Sequence, residues 1–290
     1  MRKHIGITLG DPAGIGPEII QAALASGKVP DAQYRVLGRT EGHSPGKPTP
    51  DSARTAHVAL EEAAQLALAG ELDAVVTGPI HKARMYEAGF PFPGQTEFFA
   101  TRCKVENFAM LLTGAGLTVA LVTTHIPLGA VASALQTSEI VRVGSLLENF
   151  LVRRGGRRRI AVAGLNPHAG ESGALGNEEV ELIAPAIEQL QKLHPEAQFS
   201  GPSSPDTIFH RAVGGEFDAV LCMYHDQGLI PLKLHAFHDG VNVTLGLPFP
   251  RTSPDHGTAF EIAGRGVARP DSIIAAIRLA AELAQTKTQA

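Results

Sequence analysis

Short apolar runs alternate with longer amphipathic stretches along the whole chain. IGITLG, YRVLG, DAVVTGPI, AMLLTG, TVALVTT, RIAVAGL, DAVLCMY and VNVTLGL have the length and β-branched content of strands. Many lack period-two alternation, as expected of strands buried on both faces of a largely parallel sheet. Between them, PEIIQAALASG, SARTAHVALEEAAQLALAG, SEIVRVGSLLENFLVRR, NEEVELIAPAIEQLQKLH and PDSIIAAIRLAAELAQ carry apolar residues at helical spacing. Pro17 suits a first helical turn, Ser52 and Asn177 suit N-caps, and Gly27 and Gly70 suit helix ends. This order predicts an α/β architecture. GRTEGHSPGKPTP at 38–50 is the clearest loop, and nothing reads as an internal repeat or a flexible tether, so two domains would be continuous through shared sheet or helices.

Composition narrows the classes. A chain of 290 residues that is 44% hydrophobic and 19% charged can bury a substantial core and suits two modest domains or one large one. Its formal charge of -4 and its one short basic stretch, RRGGRRR at 153–159, argue against nucleic acid as a partner; that stretch reads as a solvated turn. Cys103 and Cys222 make no CxxC pair, which suggests neither a disulfide framework nor a thiolate metal site and fits a reducing compartment. MRKHIGITLGD is too short in apolar residues for a secretory segment, and no later run approaches a membrane span, so the expected location is cytoplasmic with no membrane partner.

The candidate chemistry sits at predicted strand ends, where α/β folds leave a ligand crevice. His125 in TTHIPL, His168 in GLNPHAGE and His225 in MYHDQG each follow a strand. Three neutral imidazoles make a ligand set for a divalent transition metal with positions left for substrate oxygens. Each alone is an ordinary loop or interface residue, and no HxxxH or HxH spacing decides between the two readings. In LGDPAGIGPE a strand enters a turn where Gly14 and Gly16 allow positive φ or close backbone approach, with no GxGxxG fingerprint. Arg251 offers a forked donor to a phosphate or carboxylate, and Lys233 and Asn242 add anion and hydroxyl contacts if they face inward.

Taken together, GDPAGIGPE, DAVVTGPIHK, PGQTEFFA, TTHIPL, GLNPHAGESG, YHDQGLIPLK, VNVTLGLPFPRTS and DHGTAFEIAG resemble the 4-hydroxythreonine-4-phosphate dehydrogenase family of pyridoxal 5'-phosphate biosynthesis, in the family's order and over nearly the whole chain. GDPAGIGPE and DHGTAFEIAGRGVARP are also similar to the isocitrate and isopropylmalate dehydrogenases. The resemblance implies their fold: two α/β/α domains sharing a largely parallel, mixed sheet core, with the active site in the interdomain cleft. Residues 1–95 with 245–290 would form the nucleotide-binding domain, and 96–244 the metal- and substrate-binding, dimerisation domain. The resemblance also implies a divalent metal (Zn, Mg or Co) held by His125, His168 and His225, with ligands drawn from both subunits of a homodimer. Substrate contacts fall on Gln95, Thr96, Asp206, Lys233, Asn242 and Arg251, and acidic Asp226 lines the same site. Gly14, Gly16, His256, Gly257 and Thr258 would lie along NAD or NADP. The implied reaction is hydride transfer to NAD from the carbon bearing the secondary hydroxyl of 4-phosphohydroxy-L-threonine, giving a β-keto acid that loses carbon dioxide to leave 3-amino-2-oxopropyl phosphate. Lys82 and Asp226 are the candidate general bases.

Two departures stand out. The PGQTE segment carries Gln95 where the family usually has His, and Gln cannot carry a proton or a positive charge. The chain is also shorter than its resemblance implies, the loss falling between YRVLG and Ser52. Phosphorylated threonate or erythronate is therefore an alternative substrate, a metal-dependent hydrolase of phosphorylated metabolites an alternative class, and a binding protein a third reading.

Overall fold

The computed structural model describes residues 2–285. In chain order the elements of the first part are β1 (His4–Thr8), α1 (Gly16–Ala25), β2 (Gln33–Leu37), α2 (Pro50–Leu68), β3 (Ala74–Thr77), α3 (Lys82–Glu87) and α4 (Gln95–Cys103). Then follow β4 (Ala109–Gly114), β5 (Leu117–Leu121), α5 (Val131–Ala134), α6 (Thr137–Arg153), β6 (Arg159–Ala163), α7 (Ala184–Leu193), β7 (Gln198–Ser203), α8 (Ile208–Val213), β8 (Ala219–Cys222) and α9 (His225–His235). The chain closes with β9 (Val241–Leu245), β10 (Arg251–Pro254) and α10 (Asp271–Gln285). These divide into two compact units: the chain up to Glu106 and again from His238 onward, and Asn107–Phe237.

In the first unit the strands run in the order β2-β1-β3-β10-β9, parallel except for β9 against β10. Helix α10 packs on β3, β9 and β10 and against α1, whereas α2 packs on β1, β2 and β3. All of β3 is buried, as a strand covered on both faces must be. Helix α2 turns an alanine-rich side inward, Ala53, Ala56, Ala59, Leu60, Ala63, Ala64 and Ala67, and these small side chains let helix and sheet approach closely. Its N-cap is Thr49 rather than Ser52: the two form a capping box in which the Thr49 hydroxyl accepts the Ser52 N–H and the Ser52 hydroxyl accepts the Thr49 N–H. Gly27 and Gly70 follow the ends of α1 and α2 with φ of 66° and 75°, the left-handed residues that close them. Helix α4 is anchored to α2 by the paired contacts of Arg102 with Glu61, and Arg102 also lies over the Phe92 and Phe98 rings. That anchorage holds the last turn of α4; Gln95 and Thr96 stand at its first.

In the second unit the order is β4-β5-β8-β6-β7, with β4 antiparallel to β5 and the rest parallel. Its core gathers Leu112, Leu117, Val119, Leu121, Ala161, Ala163, Val220, Cys222, Leu229 and Leu232. Both units are thus mixed, mostly parallel α/β structures. The basic stretch is not simply solvated: Arg158 pairs with Glu148 and Glu196, and Arg159 with Asp218. Helix α9 begins three residues after β8 ends and contains both Gly228 and Pro231, two residues that argue against a helix from sequence alone. Gly228 is there for packing, since a Cβ would meet Leu121 Cδ2 at 2.9 Å and Cys222 Sγ at 3.0 Å.

Candidate active site

In the first unit the antiparallel pairing of β9 with β10 sets Arg251 opposite Thr244 and Ser253 opposite Asn242, so these four side chains share one face of the sheet. Arg251 is 3% exposed. Among the described residues its hydrogen-bond partners are all neutral: Thr77 Oγ1, Thr244 Oγ1 at 3.2 Å and Gln95 Oε1 at 2.9 Å. Among the same residues its Nε has no partner, nor does the buried Oδ1 of Asn242. Burial pulls the guanidinium down to about 10, against an opposing push from the Glu97 charge. A cation taken out of water without a bonded anion costs several kcal/mol, and a bound anion would recover that cost. Gln95 also donates its amide to the Gly78 carbonyl at 3.1 Å, and Thr96 Oγ1 lies 3.2 Å from Thr244 Oγ1. Lys82, exposed at the start of α3, passes beside Gly94, the N-cap of α4: a Cβ on Gly94 would lie 3.9 Å from Lys82 Cε.

The same unit brings the two glycine-rich segments together. Ile15 N–H donates to the Thr258 carbonyl at 2.9 Å, and a Cβ on Gly14 would meet that oxygen at 2.8 Å. A Cβ on Gly16 would meet the Leu9 carbonyl at 1.9 Å, so close backbone approach, not positive φ, is what both glycines serve. Glu18 Oε2 accepts the Gly264 N–H at 2.9 Å, tying the same turn to the chain after Thr258. Among the described residues, His256 Nε2 is buried without a partner, while exposed Gly257 has open space where a side chain would be.

In the second unit the His125 and His225 rings lie with centroids 5.7 Å apart and planes tilted by 44°. His225, the first residue of α9, donates from Nδ1 to Asp226 Oδ1 at 2.6 Å, a contact that orients the ring and does not engage Nε2. His168 is exposed on a loop whose residues His168–Ser172 all take left-handed φ, from 45° to 77°. Each non-glycine there costs about 1–2 kcal/mol, so the surroundings must impose the curl. They do so through Glu179, 2% exposed, whose Oε1 accepts the N–H groups of Leu165 and Asn166, each at 2.7 Å. Asn166 Nδ2 also donates to Glu178 at 2.7 Å; Glu178 titrates below the ordinary glutamate range because it takes a backbone hydrogen bond and then this amide. Among the described residues of a single chain, no three His, Cys, Asp or Glu side chains stand together as a metal site. Asp206 is exposed before α8, where it accepts from the Ser204 hydroxyl at 2.7 Å, and Lys233 is half-buried on the last turn of α9.

Thr77, Thr244 and Glu179 escaped the reading of the sequence. The signal for Thr77 was present: a polar residue ends an otherwise apolar strand, DAVVT.

Comparison with known proteins fits this arrangement. A family described as the pyridoxal phosphate biosynthetic protein PdxA matches residues 16–280. The 4-hydroxythreonine-4-phosphate dehydrogenase of Caulobacter vibrioides is 43% identical over 327 aligned positions, spanning 97% of this chain and 98% of that relative. That aligned length exceeds the 290 residues of this chain, so the relative carries segments absent here. The D-threonate 4-phosphate dehydrogenase of Pectobacterium atrosepticum is 38% identical, covering 98% and 100% of the two chains. A crystal structure of 4-hydroxythreonine-4-phosphate dehydrogenase from Klebsiella pneumoniae superposes with a TM-score of 0.82 at 37% identity, covering 98% of this chain and all of that one. With a family model matched over residues 16–280 and relatives and a solved structure matched over nearly the full length, the chain belongs to the PdxA family of pyridoxal phosphate biosynthesis and is an oxidoreductase.

Proposed function

We propose that this protein oxidises 4-phosphohydroxy-L-threonine with NAD and releases carbon dioxide, yielding 3-amino-2-oxopropyl phosphate. Arg251 carries the reading: a buried cation with neutral partners and an unpaired Nε is suited to the phosphate of such a substrate. Gln95, Thr96 and Asn242 supply neutral contacts beside it, with Lys233 and Asp206 as further substrate contacts. Binding energy from the nonreacting phosphate then orients the reacting carbon. Gly14, Gly16, His256, Gly257 and Thr258 are assigned to the nucleotide. NAD is assigned on the family resemblance; of the two cations near the nucleotide segment in sequence, Arg265 and Arg269, the second is paired with Asp271 at 2.9 Å.

His125, His168 and His225 are assigned to a divalent ion, Zn, Mg or Co, with ligands drawn from two copies of the chain. The closeness of two imidazoles and the Asp226 contact that orients one of them support this. So do the exposed apolar side chains Ile126 and Leu128 beside His125, and Ile230 and Leu234 on α9, which a second copy would cover. When bound, such an ion supplies a Lewis acid toward the alcohol and carboxylate oxygens. The alcohol loses its proton to Lys82 Nζ or to the Asp226 carboxylate and its hydride to the nicotinamide; the resulting β-keto acid breaks its C–C bond to carbon dioxide, and the carbon left behind takes up a proton. The proposed location is the cytoplasm, where thiols stay reduced. Burial raises both thiols, Cys103 to about 11, so neither is primed for exchange.

A phosphorylated threonate is the second reading, favoured by the 38% identical Pectobacterium enzyme and by the uncharged Gln95 at the Arg251 cradle. Purified protein mixed with NAD, a divalent metal and each phosphorylated hydroxy acid decides by formation of reduced nicotinamide. Fastest reduction with 4-phosphohydroxy-L-threonine supports the main reading, and fastest reduction with the threonate supports the second. Phosphate release without reduction would mark the hydrolase class, and no turnover a binding protein.

A further inference from the structure

The three histidine-bearing strand ends of the second unit are joined by a hydrogen-bond chain whose two Gln227 links are buried. Thr123, two residues before His125, donates to the Met223 carbonyl from its hydroxyl at 2.8 Å and from its N–H at 3.1 Å. Met223, two residues before His225, donates its N–H to Gln227 Oε1 at 2.7 Å. Gln227 Nε2 in turn donates to the Gly164 carbonyl at 2.7 Å, at the root of the loop that carries His168. Gln227 is only 6% exposed, so water cannot replace either bond without opening the site.

We propose that Gln227 is a positioning residue, whose amide holds the turn presenting His225 and the loop presenting His168 in fixed register on one subunit, so that each imidazole meets the ion it serves. The two groups it bridges are of opposite kind, one N–H and one C=O. A carboxylate of the same length satisfies the first and repels the second, a thioether satisfies neither, and asparagine is one carbon short. Its place in the first turn of α9 lets the side chain reach back over the helix start, as a capping glutamine does, while the far end of the amide faces the neighbouring strand end. Gln227 therefore acts on the chemistry only through the imidazoles whose segments it holds. The left-handed curl at 168–172 is held at its root by Glu179 and Gln227, so losing the amide frees one of the two buried side chains that restrain it.

The inference rests on the proposed role of His168 and His225 as ligands of a divalent ion. Its test is a Co2+ titration of the full chain, followed by visible absorption, on wild type, His225→Ala, Gln227→Met and Gln227→Glu, with Leu60→Val in the other unit as a control for lost stability. We expect wild type to bind, His225→Ala to lose binding, both Gln227 variants to bind about 10–100-fold more weakly, and Leu60→Val to bind as wild type does. If wild type does not bind, or His225→Ala binds as well as wild type, the ligand reading fails and the positioning role falls with it. If His225→Ala loses binding but both Gln227 variants bind like wild type, the positioning role alone is overturned. Should Gln227→Met not fold, Gln227→Glu, which keeps the bond to Met223, decides the question by the same two outcomes.

Discussion

Gln95 accepts a hydrogen bond from Arg251 Nη2 at 2.9 Å while its own amide nitrogen donates to the Gly78 carbonyl at 3.1 Å. Both ends of the side chain are committed, so the amide has one orientation and holds the guanidinium against neutral oxygens. Replacing Gln95 with Leu leaves a carbonyl and a guanidinium N–H unpaired, a cost of roughly 1–3 kcal/mol each. The expected result is a KM for the phosphorylated substrate raised about tenfold or more with a smaller change in kcat. Arg251→Lys keeps the charge but loses the fork, and should raise KM further. Steady-state kinetics on the two variants check both statements; an unchanged KM would remove Arg251 from the substrate site.

The proposed completion of a metal site by two copies predicts complementation. His168→Ala and His225→Ala should each be inactive alone. If the two ligands come from different subunits, mixing under conditions that exchange subunits restores one intact site in each hybrid dimer. Leu234→Glu, at a side chain 87% exposed on α9, should shift the dimer toward monomer in sedimentation with little loss of folded stability.

Gly16 and Gly257 separate the needs of the fold from those of the nucleotide. A Cβ at Gly16 strikes the Leu9 carbonyl, so Gly16→Ala should destabilise the protein by about 2 kcal/mol or more. A Cβ at Gly257 meets nothing within 4 Å, so Gly257→Ala should leave the melting temperature unchanged. An accompanying rise in the KM for NAD would identify Gly257 as lining the nucleotide path, and an unchanged KM would take it off that path.

Acid should loosen the anchorage of α4. The hydrogen bond from Arg102 holds Glu61 below the ordinary glutamate range, against the smaller opposing effect of partial burial. A carboxylate depressed in the folded state contributes stability that is fully present above its unfolded pKa, about 4.3, and is lost as the pH falls through the folded value. Glu61→Gln should therefore cost up to about 1 kcal/mol at neutral pH, and thermal melts of the two proteins should converge as the pH is lowered through the acid range.

Much of this was legible in the residues. The unbroken apolar runs announced doubly covered strands, and GDPAGIGPE announced a close-approach turn whose partner, Thr258, lies in the other glycine-rich motif. Other elements were hidden for physical reasons. Helix α9 contains a glycine and a proline that local propensity penalises, yet Gly228 is needed there because Leu121 and Cys222 leave no room for a side chain. Strand β10, RTSP, is too short and too polar to show a period, and only its pairing with β3 and β9 makes it a strand. The neutral hydrogen-bond partners of Arg251 were equally out of reach, since Thr77, Gln95 and Thr244 come from three separate segments. Ser52 was misplaced by three positions because a capping box contains two hydroxyls and composition cannot tell which leads.

The curl at 168–173 also governs where this chain can change its length. A surface connection such as 38–50, between β2 and α2, can gain or lose residues at small entropic expense, and relatives are longer than this chain. A wrong-handed turn has no such slack: removing one residue rotates the later peptides by roughly 100° about the turn and shifts His168 against its Glu179 anchor. Insertions and deletions should therefore gather at 38–50 and be purged from 164–179, so that one loop keeps strict count while the other absorbs the drift of the lineage.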